Sequence, residues 1–167
     1  YAKVYEEILN YEKEIGLSFD YIFHASGTGI TQAGLMCGKL KNNDKKEIVG
    51  ISIARNYDVG KSAIVNNIMS YFENNLLDGD GIDKEVNFED KYICGGYGKY
   101  NKEIVKTISE LIKIDGIPLD LTYTGKAFWG MTEYVREKKI TNAKILFIHT
   151  GGTPLFFDDL MMQRLEG

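Results

Sequence analysis

Apolar positions along the chain alternate between two spacings. In residues 1–15, Val4, Ile8, Leu9, Tyr11 and Ile15 recur among Glu and Lys at roughly helical spacing, which predicts an amphipathic helix. Residues 19–24 then form a short aromatic and β-branched run that reads as a buried strand. A glycine turn, Ser26-Gly27-Thr28-Gly29, leads into a second helical pattern over residues 30–40. The alternation continues with a near-continuous apolar strand over 47–54 and a helix over 59–77 carrying Ile64, Ile68, Met69, Phe72 and Leu76. Residues 74–86, with Asp78-Gly79-Asp80-Gly81, are the most loop-like stretch. A short strand over 91–94, helices over 102–114 and 126–139, and a final buried strand over 144–149 complete the reading. Strands alternating with helices of about ten residues or more predict an α/β fold, a mainly parallel sheet with helices on both faces. No linker or internal repeat divides it, so residues 1–167 are taken as a single α/β domain.

Three of the expected strands end in glycine: Ser26-Gly27-Thr28-Gly29, Gly95-Gly96-Tyr97-Gly98 and Thr150-Gly151-Gly152. Ligands in such sheets sit beyond the carboxyl ends of the strands, where glycine lets backbone approach closely and frees N–H groups. Composition narrows the partners. Lys plus Arg (20) against Asp plus Glu (24) gives a net charge of -4, a poor match for non-specific binding to nucleic acid or a membrane surface. The two cysteines, Cys37 and Cys94, form no metal-ligand pattern and point to a reducing compartment, and the longest apolar run is far too short to span a bilayer. A cytoplasmic location follows as the expectation.

The first glycine turn supplies free backbone N–H groups, with Ser26, Thr28 and Thr31 as hydroxyl donors, and so reads as a phosphate cradle or as an ordinary tight turn. It is not a dinucleotide fingerprint, because Gln32 stands where the third glycine would be, and Gly60-Lys61-Ser62 lacks the upstream glycine of a Walker loop. Tyr97 and Tyr123 lie on glycine-flanked loops where a phenol can handle protons or hold a carboxylate, though most of the eleven tyrosines must be packing residues. Lys126 reads as a solvated or structural lysine rather than a nucleophile. His24 and His149 read as histidines at the edge of the core, and Phe128 and Trp129 as a helix face packed on it.

Four segments occur in one order: residues 25–35 (ASGTGITQAGL), 96–98 (GYG), 119–127 (LDLTYTGKA) and 148–152 (IHTGG). Together they resemble the 1-aminocyclopropane-1-carboxylate deaminase and D-cysteine desulfhydrase family, pyridoxal-phosphate enzymes of the tryptophan-synthase-β type (fold type II). The resemblance runs from about residue 1 to 153. It implies that Gly27, Thr28, Gly29, Ile30 and Thr31 hold the phosphate of pyridoxal 5'-phosphate, and that Tyr97 and Tyr123 are the catalytic tyrosines contacting a small amino-acid substrate. Thr124 stands where the deaminases carry Glu and the desulfhydrases Thr, near the pyridine nitrogen, and Thr150 is a second candidate for that edge of the cofactor. A hydroxyl there leaves the ring nitrogen neutral, which favours β-elimination and tilts the substrate towards D-cysteine, giving pyruvate, ammonia and sulfide.

Tyr100 and Leu121-Thr122 depart from the family pattern beside the expected substrate pocket. The family's Lys-Arg-Asp-Asp segment, whose lysine carries the cofactor, has no counterpart here, since no Lys-Arg dipeptide occurs. The resemblance therefore implies the C-terminal half of a longer enzyme, without turnover of its own, and a homodimeric assembly by family habit. A non-catalytic phosphate- or nucleotide-binding module is the alternative.

Overall fold

A computed structural model describes residues 1–75 and 81–162. Four strands, β1 (Tyr21–Ser26), β2 (Glu47–Ser52), β3 (Asn87–Glu89) and β4 (Ile145–Ile148), form one all-parallel sheet in the order β3-β2-β1-β4. In the central pair Tyr21 lies opposite Glu47 and Ser26 opposite Ser52, so both strands finish at one rim. The helices are α1 (Ala2–Ile15), α2 (Ile30–Lys41), α3 (Tyr57–Asn75), the short α4 (Ile82–Glu85), α5 (Lys102–Asp115), α6 (Thr124–Glu137) and α7 (Thr153–Met161).

Alternate side chains of the strands feed two core layers, as the period of two in a covered parallel strand requires. Ile22 and Ile48 join Leu35 and Met36 of α2, Ile64 and Ile68 of α3, and Tyr5 and Ile8 of α1. Phe23, Val49 and Ile51 face the other way, against Ala127, Met131 and Tyr134 of α6. A third cluster, Ile104, Ile108, Leu119, Leu121 and Phe156, binds α5 and α7 beside it. With each fully buried aliphatic side chain contributing about 1.5–3 kcal/mol, these layers hold the strand ends as a fixed frame. The expected α/β fold with helices on both faces is what forms.

Four local expectations need correction. The third strand is Asn87–Glu89, paired with Val49 to Ile51; residues 91–94 form turns, and Tyr92 packs on Trp129 instead. The glycine segment 95–98 therefore follows a turn, not a strand. Within the expected loop 74–86, α3 runs to Asn75 and α4 occupies Ile82–Glu85, while residues 76–80, with part of the expected α3, lie outside the described residues. The first strand begins at Tyr21 rather than residue 19; Asp20, just before it, is clasped to Lys144 by its N–H, which donates to Lys144 O at 2.8 Å, and by its carboxylate, which accepts the Lys144 N–H at 2.7 Å. No described helix is long and apolar enough to cross a membrane.

Candidate functional site

The loop after β1 turns at Gly29, whose φ of 89° and 2.9 Å clearance between an added Cβ and Ile64 Cγ1 admit only glycine. Beyond it α2 starts without a side-chain cap. Among the described residues, no backbone N–H of residues 27–32 donates to a backbone carbonyl outside regular structure, and none meets a side-chain acceptor. Free N–H groups at the positive end of a helix are an anion site. Thr28 is exposed and Thr31 half-buried, so both hydroxyls can reach such an anion; the Ile30 side chain points to solvent, leaving its N–H as its contribution.

The base of this loop is pinned by Gln32, which is fully buried. Its Nε2 donates to Asn87 O at 2.6 Å, and its Oε1 accepts from Ser26 Oγ at 3.4 Å, tying α2 to β1 and β3. Arg55, just past β2, reaches back with Nη1 to Thr28 O at 3.4 Å and brings a cation beside the loop. The anion cradle therefore fits a phosphate group. Among the described residues no cluster of potential metal ligands occurs.

Tyr97 and Tyr123 are brought together. Their hydroxyls are hydrogen-bonded and their rings meet edge-on, with centroids 5.8 Å apart at 77°. The bond to Tyr97, helped by burial, pushes the Tyr123 phenol up to about 12. At neutral pH Tyr123 is thus protonated, a hydrogen-bond donor rather than a base.

Tyr123 owes its place to Asp120. This buried carboxylate accepts from the N–H groups of Thr122 (2.9 Å) and Tyr123 (2.7 Å) through Oδ2, and from the N–H (2.9 Å) and hydroxyl (2.7 Å) of Thr124 through Oδ1. Thr124 is consequently sealed in the turn: its hydroxyl proton is given to Asp120 and it accepts the Asp120 N–H at 3.2 Å. Asp120 also receives the loop after β4. Gly152, with φ 91°, lies so close that an added Cβ would stand 2.3 Å from Asp120 Oδ1. His149 is exposed, not at the core edge; its Nε2 meets Pro118 O at 2.9 Å and its Nδ1 accepts from Gly151 N at 3.3 Å. Thr150 is half-buried between these anchors. His24 is in the core proper, fully buried on β1.

Lys126 is fully buried and hydrogen-bonded to three backbone carbonyls, so the structural reading holds and the solvated one does not. Asp120, Arg55 and Gln32 were not singled out as functional by sequence reasoning. For Asp120 a signal existed in the spacing of Asp120, Thr122 and Thr124, which is that of an acidic side chain capping the helix that follows. Arg55 and Gln32 offered no local signal, because their roles depend on strands that only the fold brings together.

With this geometry in hand, comparison with known proteins places the chain in a class. The profile of the Pyridoxal-phosphate dependent enzyme family matches residues 1–151, and the chain belongs to that family. Its relatives include a Pyrococcus abyssi protein provisionally named 1-aminocyclopropane-1-carboxylate deaminase, 34% identical over 94% of this chain and 46% of that protein. A D-cysteine desulfhydrase of Yersinia pestis is 32% identical over 84% of this chain and 42% of its own length. The crystal structure of an ACC deaminase homologue superposes with a TM-score of 0.75 at 35% identity, covering 87% of this chain and 44% of that one. The chain thus spans less than half the length of the relatives it matches.

Proposed function

We propose that the chain forms the phosphate- and substrate-binding part of a pyridoxal-phosphate enzyme that eliminates a β-substituent from a small amino acid of the D-cysteine type. The carrying observation is the run of backbone N–H groups at residues 27–32 that meet no acceptor outside regular structure among the described residues, at the start of α2 on the rim where β1 ends. Gly27, Thr28, Gly29, Ile30 and Thr31 would hold the phosphate. When bound, pyridoxal phosphate supplies an electron sink for a substrate carbanion.

The other residues orient and protonate. Of the bonded pair Tyr97 and Tyr123, one hydroxyl donates to the other, and the remaining O–H is left to donate to the substrate carboxylate or to a departing β-substituent. Thr124 supports the desulfhydrase-like reading in a specific way. It presents no carboxylate, and its hydroxyl proton is already committed to Asp120, so it leaves a ring nitrogen beside it unprotonated. Thr150, whose hydroxyl meets no partner among the described residues, remains the second candidate at that edge. Lys126 is held by three carbonyls and is not free to carry the cofactor, which supports absence of turnover by this chain alone.

Phosphorus NMR of pyridoxal phosphate titrated with the chain should show a bound phosphate whose affinity falls in Thr28→Ala and Thr31→Ala. No phosphate binding would overturn the cradle. Sulfide release from D-cysteine by the 167-residue chain at enzyme-like rates would overturn the claim that it lacks turnover.

A further inference from the structure

We infer that Lys126 is a positioning residue that holds the Tyr97 loop against Tyr123. This rests on the reading of the two tyrosines as site residues given above. Lys126 lies in the first turn of α6, three positions after Tyr123, and has no solvent exposure. Its Nζ donates to Gly96 O at 2.8 Å, Ile93 O at 3.0 Å and Ile53 O at 3.2 Å. An ammonium has three N–H donors, so every one is used.

Among the described residues no carboxylate lies within ion-pair distance of this charge. Burial draws the ammonium below its ordinary pKa, as expected for a charge removed from water, with Cys94 and Asp120 opposing the fall. A buried cation without an anion is costly, and a methionine would fill similar space without that cost. Packing alone therefore does not account for a lysine here.

What the three carbonyls share is their place around the site. Ile53 stands just past β2, so its bond ties α6 to the sheet rim. Ile93 and Gly96 bracket the turn that ends at Tyr97. Three successive residues there, Cys94 (φ 55°), Gly95 (87°) and Gly96 (124°), have positive φ, and Gly96 N closes the turn on Ile93 O at 3.1 Å. The other anchors of the turn are Lys99 N, which donates to Gly96 O at 3.2 Å, and Cys94, which packs half-buried on the third cluster and takes Asn101 Nδ2 on its Sγ at 3.4 Å, while Gly95, Tyr97 and Gly98 are exposed. One turn of α6 thus carries both Tyr123 and the hook that fixes the backbone immediately before Tyr97.

The test uses the full chain with isotope-labelled tyrosine rings at neutral pH, resonances being assigned through Tyr97→Phe and Tyr123→Phe. Cross-relaxation between the Tyr97 and Tyr123 rings is followed by NMR in the unsubstituted chain, in Lys126→Met, and in Met131→Ala, a core truncation on the same helix. The ring contact should be present in the unsubstituted chain and in Met131→Ala, and lost in Lys126→Met. A folded Lys126→Met that keeps the contact between the two rings overturns the assignment. If that variant does not fold, the nitrogen-15 ζ resonance of Lys126 in the unsubstituted chain decides: a slowly exchanging ammonium at neutral pH supports the hook, and a rapidly exchanging one overturns it. The measurement needs no cofactor, so its failure leaves the pyridoxal-phosphate reading untouched, and loss of phosphate binding leaves the hook untouched.

Discussion

Gly125 sits between Thr124 and Lys126, where α6 crosses α5, and replacing it with alanine sets two effects against each other. Alanine is the better helix former by about 1 kcal/mol. Its Cβ, however, would stand 2.4 Å from Ile108 Cδ1 and 2.5 Å from the backbone oxygen of Asp120. The second contact cannot be relieved by a rotamer change, because the same oxygen accepts the Gly125 N–H at 2.9 Å and belongs to the residue that caps the helix. Overpacking of this kind costs about 1–3 kcal/mol, and distorting the Gly125 hydrogen bond adds about 1 kcal/mol. The overlap wins, leaving Gly125→Ala destabilised by about 1–3 kcal/mol, or a Tm lower by roughly 3–10 °C for a chain of this size. Urea and thermal unfolding read the difference. In an Ile108→Ala background the penalty should shrink but persist, since the Asp120 oxygen stays in place. A Gly125→Ala chain as stable as the parent, or more so, would refute the close approach of α6 to this turn.

Two further outcomes follow from buried polar groups. Burial lowers the His24 imidazole to about 4, against about 6.5 in the unfolded chain, so between these values the unfolded chain binds a proton that the fold refuses. Stability should be flat with respect to this group above pH 6.5 and fall by about 3 kcal/mol as pH drops towards 4; His24→Leu should lose that slope, and an unchanged slope in urea titrations would contradict the assignment. On β2, an alanine at Gly50 would place its Cβ 1.9 Å from Gln32 Oε1 and 3.0 Å from Ser26 Cβ, so Gly50→Ala should cost about 2–4 kcal/mol by breaking the Gln32 link to Asn87. In a Gln32→Ala background the cost should fall by about 1 kcal/mol or more; equal costs in both backgrounds would show that the carboxamide is not the obstacle.

The helix spans and the two central strands were legible because periodicity reports burial: β1, β2 and the α3 positions Ile64, Ile68 and Phe72 are buried as expected, whereas on α1 only Ile8 of the expected face is buried, Tyr11 and Ile15 being exposed while Tyr5 and Glu12 turn inward. The third strand was not. Of Asn87, Phe88 and Glu89 only Phe88 is buried, and three residues hold too little pattern to outweigh the more apolar Tyr92-Ile93-Cys94, which turns instead. α7 escaped because the reading ended at Thr153, although Pro154 in its first turn is a common way to open a helix. At the site, the glycines and tyrosines announced themselves by type and spacing. Lys126 and Gln32 could not, since a buried ammonium or carboxamide is explained only by the carbonyls around it, and those lie 30, 33 and 73 positions away in sequence for Lys126 and 55 for Gln32.

The placement of β4 beside β1 has a consequence for the order in which the molecule can be made. Asp20 and Lys144, bonded where the two strands enter the sheet, are 124 residues apart, whereas β1 and β2 are joined through α2 alone. The loop after β1 and the β1–β2 rim can form from contacts near in sequence. The Asp120 turn acquires Gly152 only after β4 has closed this long loop, the slow kind of contact in folding. Folding therefore completes the rim from the loop after β1 towards the Asp120 turn.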